Sequence, residues 1–277
     1  MNLTTGPKTL NLADRTHIMG ILNVTPDSFS DGGHYSTVDH AVTQAVLMER
    51  EGADMIDIGG ESTRPSHEPV SENEELERIL PVIEAVKQHV HVPISVDTYK
   101  AETARQAIAS GADMINDIWG AKQEPAIARV AAEHHVPIIL MHNRTNQNYT
   151  SLISDMKTDL QESIAIALES GVSPEQIVLD PGIGFAKTSA DNVTVMNHLD
   201  AFTELGYPVL LGTSRKSFIG KILDLPPDER DNGTGATTCL GITKGVQIVR
   251  VHNVKLHAEL ARVTDAILGK QGVTSLG

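Results

Sequence analysis

A chain of 277 residues is long enough for one large domain with a full core, and no linker-like or low-complexity stretch divides it. Its 22 Lys and Arg against 36 Asp and Glu leave a net charge of −14, which argues against a general binder of nucleic acid or anionic membrane; aromatic residues, at 3%, are too few for a base-stacking platform. The single Cys239 excludes an internal disulfide, and no apolar run has signal-peptide character or membrane-spanning length, so a cytoplasmic protein is expected.

Residues 1–16 precede the first strand and are expected to cap the N-terminal end of the fold. The run Met19-Gly20-Ile21-Leu22 reads as a strand that stops at Asn23 and breaks into a long polar loop ending in Gly32-Gly33. Val42, Ala45, Val46 and Leu47 follow at helical spacing, with a stop at Gly52. Met55-Ile56-Asp57-Ile58-Gly59-Gly60 is a second strand, ending in Glu61-Ser62-Thr63-Arg64-Pro65. Ser71-Glu72-Asn73-Glu74 has the pattern of a capping box before Leu76, Ile79, Leu80 and Ile83.

The alternation continues. Pro93-Ile94-Ser95-Val96 ends in Asp97-Thr98, Met114-Ile115 leads to Asn116-Asp117, and the run 136–141 ends in His142-Asn143. Ile177-Val178-Leu179 ends in Asp180-Pro181-Gly182, Val209-Leu210-Leu211-Gly212 ends in Thr213-Ser214-Arg215-Lys216, and Ile248-Val249 ends in Arg250-Val251-His252. Helical stretches between these runs finish at Gly111, Gly171 and Gly206. Continuous apolar runs suit parallel strands buried on both faces. Eight strand–helix units over this length predict a (β/α)8 TIM barrel spanning residues 17–277 as a single domain, in preference to a doubly wound open sheet.

A barrel aims the residues at its strand ends into one pocket. Asp97, Asn116, Asp180 and Lys216 come from four such ends and could read the edge of a flat heterocycle, because a carboxylate accepts two parallel N–H bonds and an ammonium donates to a carbonyl or ring nitrogen. The plainer reading of each is a helix cap or ion pair. Thr63, Arg64, Arg250 and His252 form a second group able to grip an anion, and Asn23 could contribute one ligand to a Mg²⁺ held mainly by phosphate oxygens. Phe29 and Phe185 both fall in strand-end loops.

Other chemistries lack their signatures. The 12 His contain no His-Glu-x-x-His pattern, Gly182-Ile183-Gly184 lacks the third glycine of a dinucleotide fingerprint, and no Gly-x-Ser-x-Gly elbow occurs.

The residues 23–33, the segments 57–65, 95–98, 116–117, 140–142, 180–185 and 214–217, and Arg250-Val251-His252 together resemble the dihydropteroate synthase family, in order and over nearly the whole chain. The resemblance implies an enzyme that joins 4-aminobenzoate to (7,8-dihydropterin-6-yl)methyl diphosphate in folate biosynthesis. It implies that Asp97, Asn116, Asp180 and Lys216 hold the pterin, with Met141 and Gly212 alongside and Arg250 on a ring face. Asn23, Thr63, Arg64, Arg250 and His252 would take the diphosphate, with Mg²⁺ at Asn23. Phe29, Thr63, Pro65, Ser214 and Lys216 would surround the aminobenzoate, and Asp31 would belong to a catalytic loop. The loops 23–33 and 61–69 are expected to be mobile when empty. A homodimer through late helices and sulfonamide recognition are further implications.

Two rivals stand beside this reading: a pterin-binding methyltransferase acting on methyltetrahydrofolate, and a non-catalytic pterin-binding paralogue. The first has no use for a diphosphate clamp such as Arg64, and the second should lack part of the loops or Lys216.

Overall fold

A computed structural model describes residues 1–6, 8–24, 34–61 and 70–270. Ten strands and ten α-helices are present among them. Two strands, β1 (Asn2–Thr5) and β2 (Lys8–Asn11), form an antiparallel hairpin. The other eight are parallel: β3 (His17–Asn23), β4 (Met55–Gly59), β5 (Ile94–Asp97), β6 (Met114–Asp117), β7 (Ile138–Met141), β8 (Ile177–Asp180), β9 (Leu210–Leu211) and β10 (Ile248–Val251). Their order is β8-β7-β6-β5-β4-β3-β10-β9. A parallel bridge between Leu179 and Val209, with the Leu179 N–H donating to Pro208 O at 2.8 Å, joins the two edges and closes the barrel.

Helices follow the strands: α1 (His34–Glu51), α2 (Glu72–Lys87), α3 (Ala101–Ala109), α4 (Ala126–His134), α5 (Leu152–Glu169), α6 (Ser189–Asn197) with the short α7 (Asp200–Thr203), α8 (Ser217–Leu223), α9 (Asp231–Thr243) and α10 (Val254–Ile267). Ser71 caps α2 by accepting the Glu74 N–H at 3.3 Å, and the helix buries Leu76, Ile79 and Ile83. Gly52, Gly111, Gly171 and Gly206 all have positive φ, the conformation that ends a helix without a Cβ clash.

The barrel strands alternate between two cores, as a period of two requires. Ile18, Leu22, Ile56, Ile58, Val96, Ile115, Ile138, Leu140 and Leu179 face the helices in one large cluster. Met19, Met55, Met114, Ile139, Val178, Leu210 and Ile248 face inward in another, together with Leu3 and Leu12 from the hairpin region. The hairpin thus seals the N-terminal end of the barrel with apolar side chains, each full burial contributing about 1.5–3 kcal/mol. With that end filled, polar residues further along the same inward-facing rows stand at the C-terminal mouth.

Candidate active site

Stepping two residues up the inward rows of β4, β6, β7, β8, β9 and β10 from the apolar layer leads to Asp57, Asn116, Met141, Asp180, Gly212 and Arg250. Asp97 lies on the same level, across from Asn116 in the sheet register. Asp57, Asp97, Asn116, Met141 and Asp180 are all buried. Sequence reasoning picked every one of these residues except Asp57, and the structure brings them to one mouth.

Arg250 is the hub. Its Nε donates to Asp57 Oδ2 at 2.6 Å and its Nη2 to Asp97 Oδ2 at 2.8 Å. Asn116 Nδ2 donates to the same Asp57 oxygen at 3.0 Å. A guanidinium fork suits two separated carboxylates, and the pairing offsets the cost of burying three charges. Arg250 therefore arrives already engaged by carboxylates, which holds its plane fixed across the mouth. Asp57 Oδ1 and Asp97 Oδ1 have no hydrogen-bond partner among the described residues, so each keeps an unmet acceptor in the site. Gly59 carries no side chain where a Cβ would lie 3.3 Å from Asp97 Cβ, which lets the carboxylate pack flat against its neighbour strand.

Asp180 Oδ1 accepts the Gly182 N–H at 2.7 Å, which fixes the carboxylate plane. A Cβ at Gly212 would lie 3.7 Å from Asp180 Oδ2, so that oxygen faces across the mouth toward β9. Burial pushes the Asp97 carboxyl up to about 7, against the pull of Arg250, and pushes Asp180 up to about 6, against the Gly182 N–H. Burial lowers the Lys216 ammonium to about 8, and Arg250 adds to that shift.

Lys216 is aimed by the residue before it. Arg215 has φ +58°, a left-handed turn, and its guanidinium pairs outward with Asp231 at 2.7 and 3.0 Å. That anchor turns Lys216 to the inner side at the start of α8, where its Nζ lies 4.3 Å from the centre of the Phe185 ring. Ser214 Oγ and His252 Nδ1 are 2.8 Å apart, and the His252 N–H donates to the same Oγ at 3.2 Å. Ser214 and His252, assigned to different substrates by resemblance, are thus direct neighbours.

Asn23 ends β3 in register with Gly59. Among the described residues no group of three or more His, Cys, Asp or Glu could hold a metal ion. Phe29, Asp31, Thr63, Arg64 and Pro65 lie outside the described residues. The ends of segment 62–69 are tied together: Lys100 Nζ donates to Glu61 Oε2 at 2.8 Å, Val70 O at 2.8 Å and Glu75 Oε2 at 2.6 Å.

The signal for Asp57 was a carboxylate inside an otherwise apolar strand run. Buried charges are paired, so its partner had to come from another strand. A second group that sequence reasoning left without a role is Lys187, His142 and Asp159, linked behind the loop that follows Asp180.

A family model described as "Pterin binding enzyme" matches residues 19–252. The dihydropteroate synthase of Bacillus subtilis (strain 168) is 61% identical over 269 residues, covering 97% of this chain and 94% of that protein. A solved structure of Xanthomonas albilineans dihydropteroate synthase with 4-aminobenzoic acid superposes with a TM-score of 0.92 at 41% identity, covering 96% of this chain and 98% of that one. The same enzyme in complex with 7,8-dihydropteroate gives a TM-score of 0.89 at 39% identity, with coverage of 97% and 99%.

Proposed function

Since the chain belongs to the pterin binding enzymes and sits among the dihydropteroate synthases, we infer that its barrel mouth joins 4-aminobenzoate to (7,8-dihydropterin-6-yl)methyl diphosphate, forming 7,8-dihydropteroate and diphosphate. The observation that carries this reading is the convergence of Asp97, Asn116, Asp180, Lys216 and the doubly paired Arg250 on one mouth. Purified protein should form dihydropteroate from the two substrates and should transfer no methyl group from methyltetrahydrofolate in a parallel assay. Methyl transfer, or no turnover at all, would overturn the reading.

The pterin edge presents an amino group and ring N–H donors, which match the unmet Oδ1 of Asp97 and the open oxygen of Asp180. Asn116 complements them, and Lys216 donates to the ring's acceptor side. Met141 and the flat Arg250 guanidinium pack against ring faces. Arg250, His252, Thr63 and Arg64 gather the diphosphate, and their positive charge makes it a better leaving group. The carbon–oxygen bond to diphosphate then breaks, and Asp97 and Asp180 stabilise the cation that develops on the electron-rich pterin. The amine of 4-aminobenzoate forms the new carbon–nitrogen bond. The alkylated amine is acidic, so its proton leaves without a strong base. Phe29, Pro65, Ser214 and Lys216 hold the aminobenzoate, and Asp31 takes part in catalysis.

The donor set suits Mg²⁺ only in company with substrate. Asn23 offers one neutral oxygen and no carboxylate cage adjoins it among the described residues, a pattern that fits an ion taking its other ligands from phosphate and water. Mg²⁺ so held by Asn23 would neutralise diphosphate charge. Titration calorimetry should therefore show weak Mg²⁺ binding to the protein alone and strong binding with diphosphate present. Diphosphate should likewise raise the affinity for a sulfonamide, because its ligands Asn23 and Arg64 lie close in sequence to Phe29, Thr63 and Pro65. Equal sulfonamide affinity with and without diphosphate would contradict that order of binding.

The charges of the mouth set a pH profile. Asp97 and Asp180 must be ionised to accept pterin donors, so kcat/KM should rise with pH through about 6 to 7. Lys216 must be protonated to donate, so kcat/KM should fall as pH passes about 8. A rate constant from pH 5 to 9 would contradict both assignments.

The homodimer implied by resemblance is supported by exposed apolar side chains on the late helices: Ile222 on α8, Leu240 on α9, and Val263 and Ile267 on α10. Sedimentation should give twice the chain mass, and Val263→Asp should shift it toward one. No helix among the described residues is long and apolar enough to cross a membrane. With the single Cys239, this supports the expected cytoplasmic location.

A further inference from the structure

The loop from residue 181 to 188, between β8 and α6, follows an unusual path. Gly182, Gly184 and Ala186 have φ values of +64°, +88° and +48°, three left-handed residues in alternation. For Ala186 this is a strained conformation, and its carbonyl is held by the Tyr149 hydroxyl at 2.9 Å. The path turns the carbonyls of Gly182 and Phe185 toward the same point. Lys187 Nζ occupies that point, donating to both at 2.9 Å.

The third donor of Lys187 goes to His142 Nδ1 at 3.0 Å. Burial lowers the Lys187 ammonium to about 7; when it is protonated it has three protons, and here each has its own acceptor. Because Nδ1 accepts, the proton of neutral His142 sits on Nε2, which donates to Asp159 Oδ2 at 2.8 Å. Burial and the neighbouring Lys187 hold His142 down to about 3, in the neutral form this arrangement needs. Arg144 Nε donates to the same Asp159 oxygen from the other side. A continuous set of hydrogen bonds therefore runs from α5 to the loop, through a lysine that is only 5% exposed.

The loop carries Phe185 against Lys216. The ring centre lies 4.3 Å from Lys216 Nζ. Gly184 leaves room for the pair, since a Cβ there would lie 3.0 Å from Lys216 Cδ. Lys187 has no donor left to reach the mouth. We propose that Lys187 is a positioning residue for the reaction: its ammonium pins the Phe185 carbonyl so that the Phe185 ring sets the Lys216 ammonium toward the substrates. A tetrahedral ammonium suits three acceptors converging on one point, whereas a planar guanidinium does not.

The proposal rests on the assignment of the mouth given above. A wild-type protein that forms no dihydropteroate would defeat that assignment, whereas the variants below, measured against an active wild type, judge Lys187. Lys187→Met should lower kcat/KM for 4-aminobenzoate by about a hundredfold, the scale expected when a reacting group is misplaced by about 1 Å. Lys187→Arg, which keeps the charge and satisfies part of the cradle, should fold with a near-normal melting temperature and still lose about tenfold or more. It decides the matter if Lys187→Met does not fold. Phe185→Ala should itself be impaired to a similar degree, and either Lys187 change made in that background should cost less than about threefold more. Wild-type kcat/KM in Lys187→Arg or in Phe185→Ala would overturn the proposal. So would a full, multiplicative loss in the double variants, which would mark Lys187 as a core residue acting on stability alone.

Discussion

Arg250→Ala should lower kcat/KM for dihydropteroate formation by about a thousandfold, the upper end of the roughly 10²–10³ lost when one preorganised charge-stabilising donor is removed. The change leaves Asp57 Oδ2 and Asp97 Oδ2 facing each other across the mouth without their cation. On the proposed assignment it also removes the flat surface beneath the pterin and one of the diphosphate ligands. Binding of a pterin that lacks diphosphate should fall with it. Arg64→Ala, by contrast, should spare such a ligand and weaken only diphosphate-bearing ones. Arg250→Lys tests the geometry apart from the charge. A point charge cannot bridge both carboxylates as the fork does, so the variant should fold and still lose about tenfold or more. Equal affinity of Arg64→Ala and Arg250→Ala for the diphosphate-free pterin would refute the division of labour.

Asp180→Asn should weaken pterin binding by about tenfold or more, since an unmade buried hydrogen bond costs about 1–3 kcal/mol and more when a charge is involved. The direction follows from the local anchor. The Gly182 N–H, at 2.7 Å from Oδ1, will keep the amide oxygen of the asparagine on its own side. The NH₂ is then forced into the position of Oδ2, where a pterin donor needs an acceptor. Folding should be intact, because the anchor is retained. Asp117→Asn is the matched control. Asp117 is equally buried, but its oxygens cap the N–H groups of Trp119 and Ala121 at 2.8 and 2.6 Å on the outer face of the barrel. That variant should alter stability and leave pterin affinity unchanged. Calorimetry giving wild-type affinity for Asp180→Asn would remove Asp180 from the site.

The barrel was legible because each strand is a short apolar run buried on both faces and closed by a polar residue. Asp97, Asn116 and Asp180 could be read as one set because each stands at such a stop. Asp57 could not, because it stands inside its strand, followed by Ile58 and Gly59. Its meaning depends on Arg250, 193 residues later in the chain. Pairings of that kind are made by barrel closure and leave no local trace. The anion-binding role expected of Arg250 is likewise refined by the structure, since its Nε and Nη2 are spent on carboxylates. Arg215 and Lys216 look alike as cations in a row, yet a left-handed turn at Arg215 sends them to opposite sides. Lys187 followed an apolar Gly-rich loop with no spacing that distinguishes a buried ammonium from a surface one. Only the convergence of Gly182 O, Phe185 O and His142 Nδ1 reveals its position.

The central claim is that buried carboxylates at the mouth read the pterin as ionised acceptors, and proton exchange on binding tests it most directly. Burial holds Asp97 and Asp180 up to about 7 and about 6, so both are partly protonated in the empty protein near neutral and mildly acidic pH. A pterin that donates to their ionised forms must expel those protons. Calorimetry of a diphosphate-free pterin, repeated in buffers of different ionisation enthalpy, should show net proton release near pH 6 that fades toward pH 8. Near pH 8 the Lys216 ammonium, lowered to about 8, takes up a proton in order to donate. Binding with no proton release near pH 6, or with proton uptake there, would contradict the account.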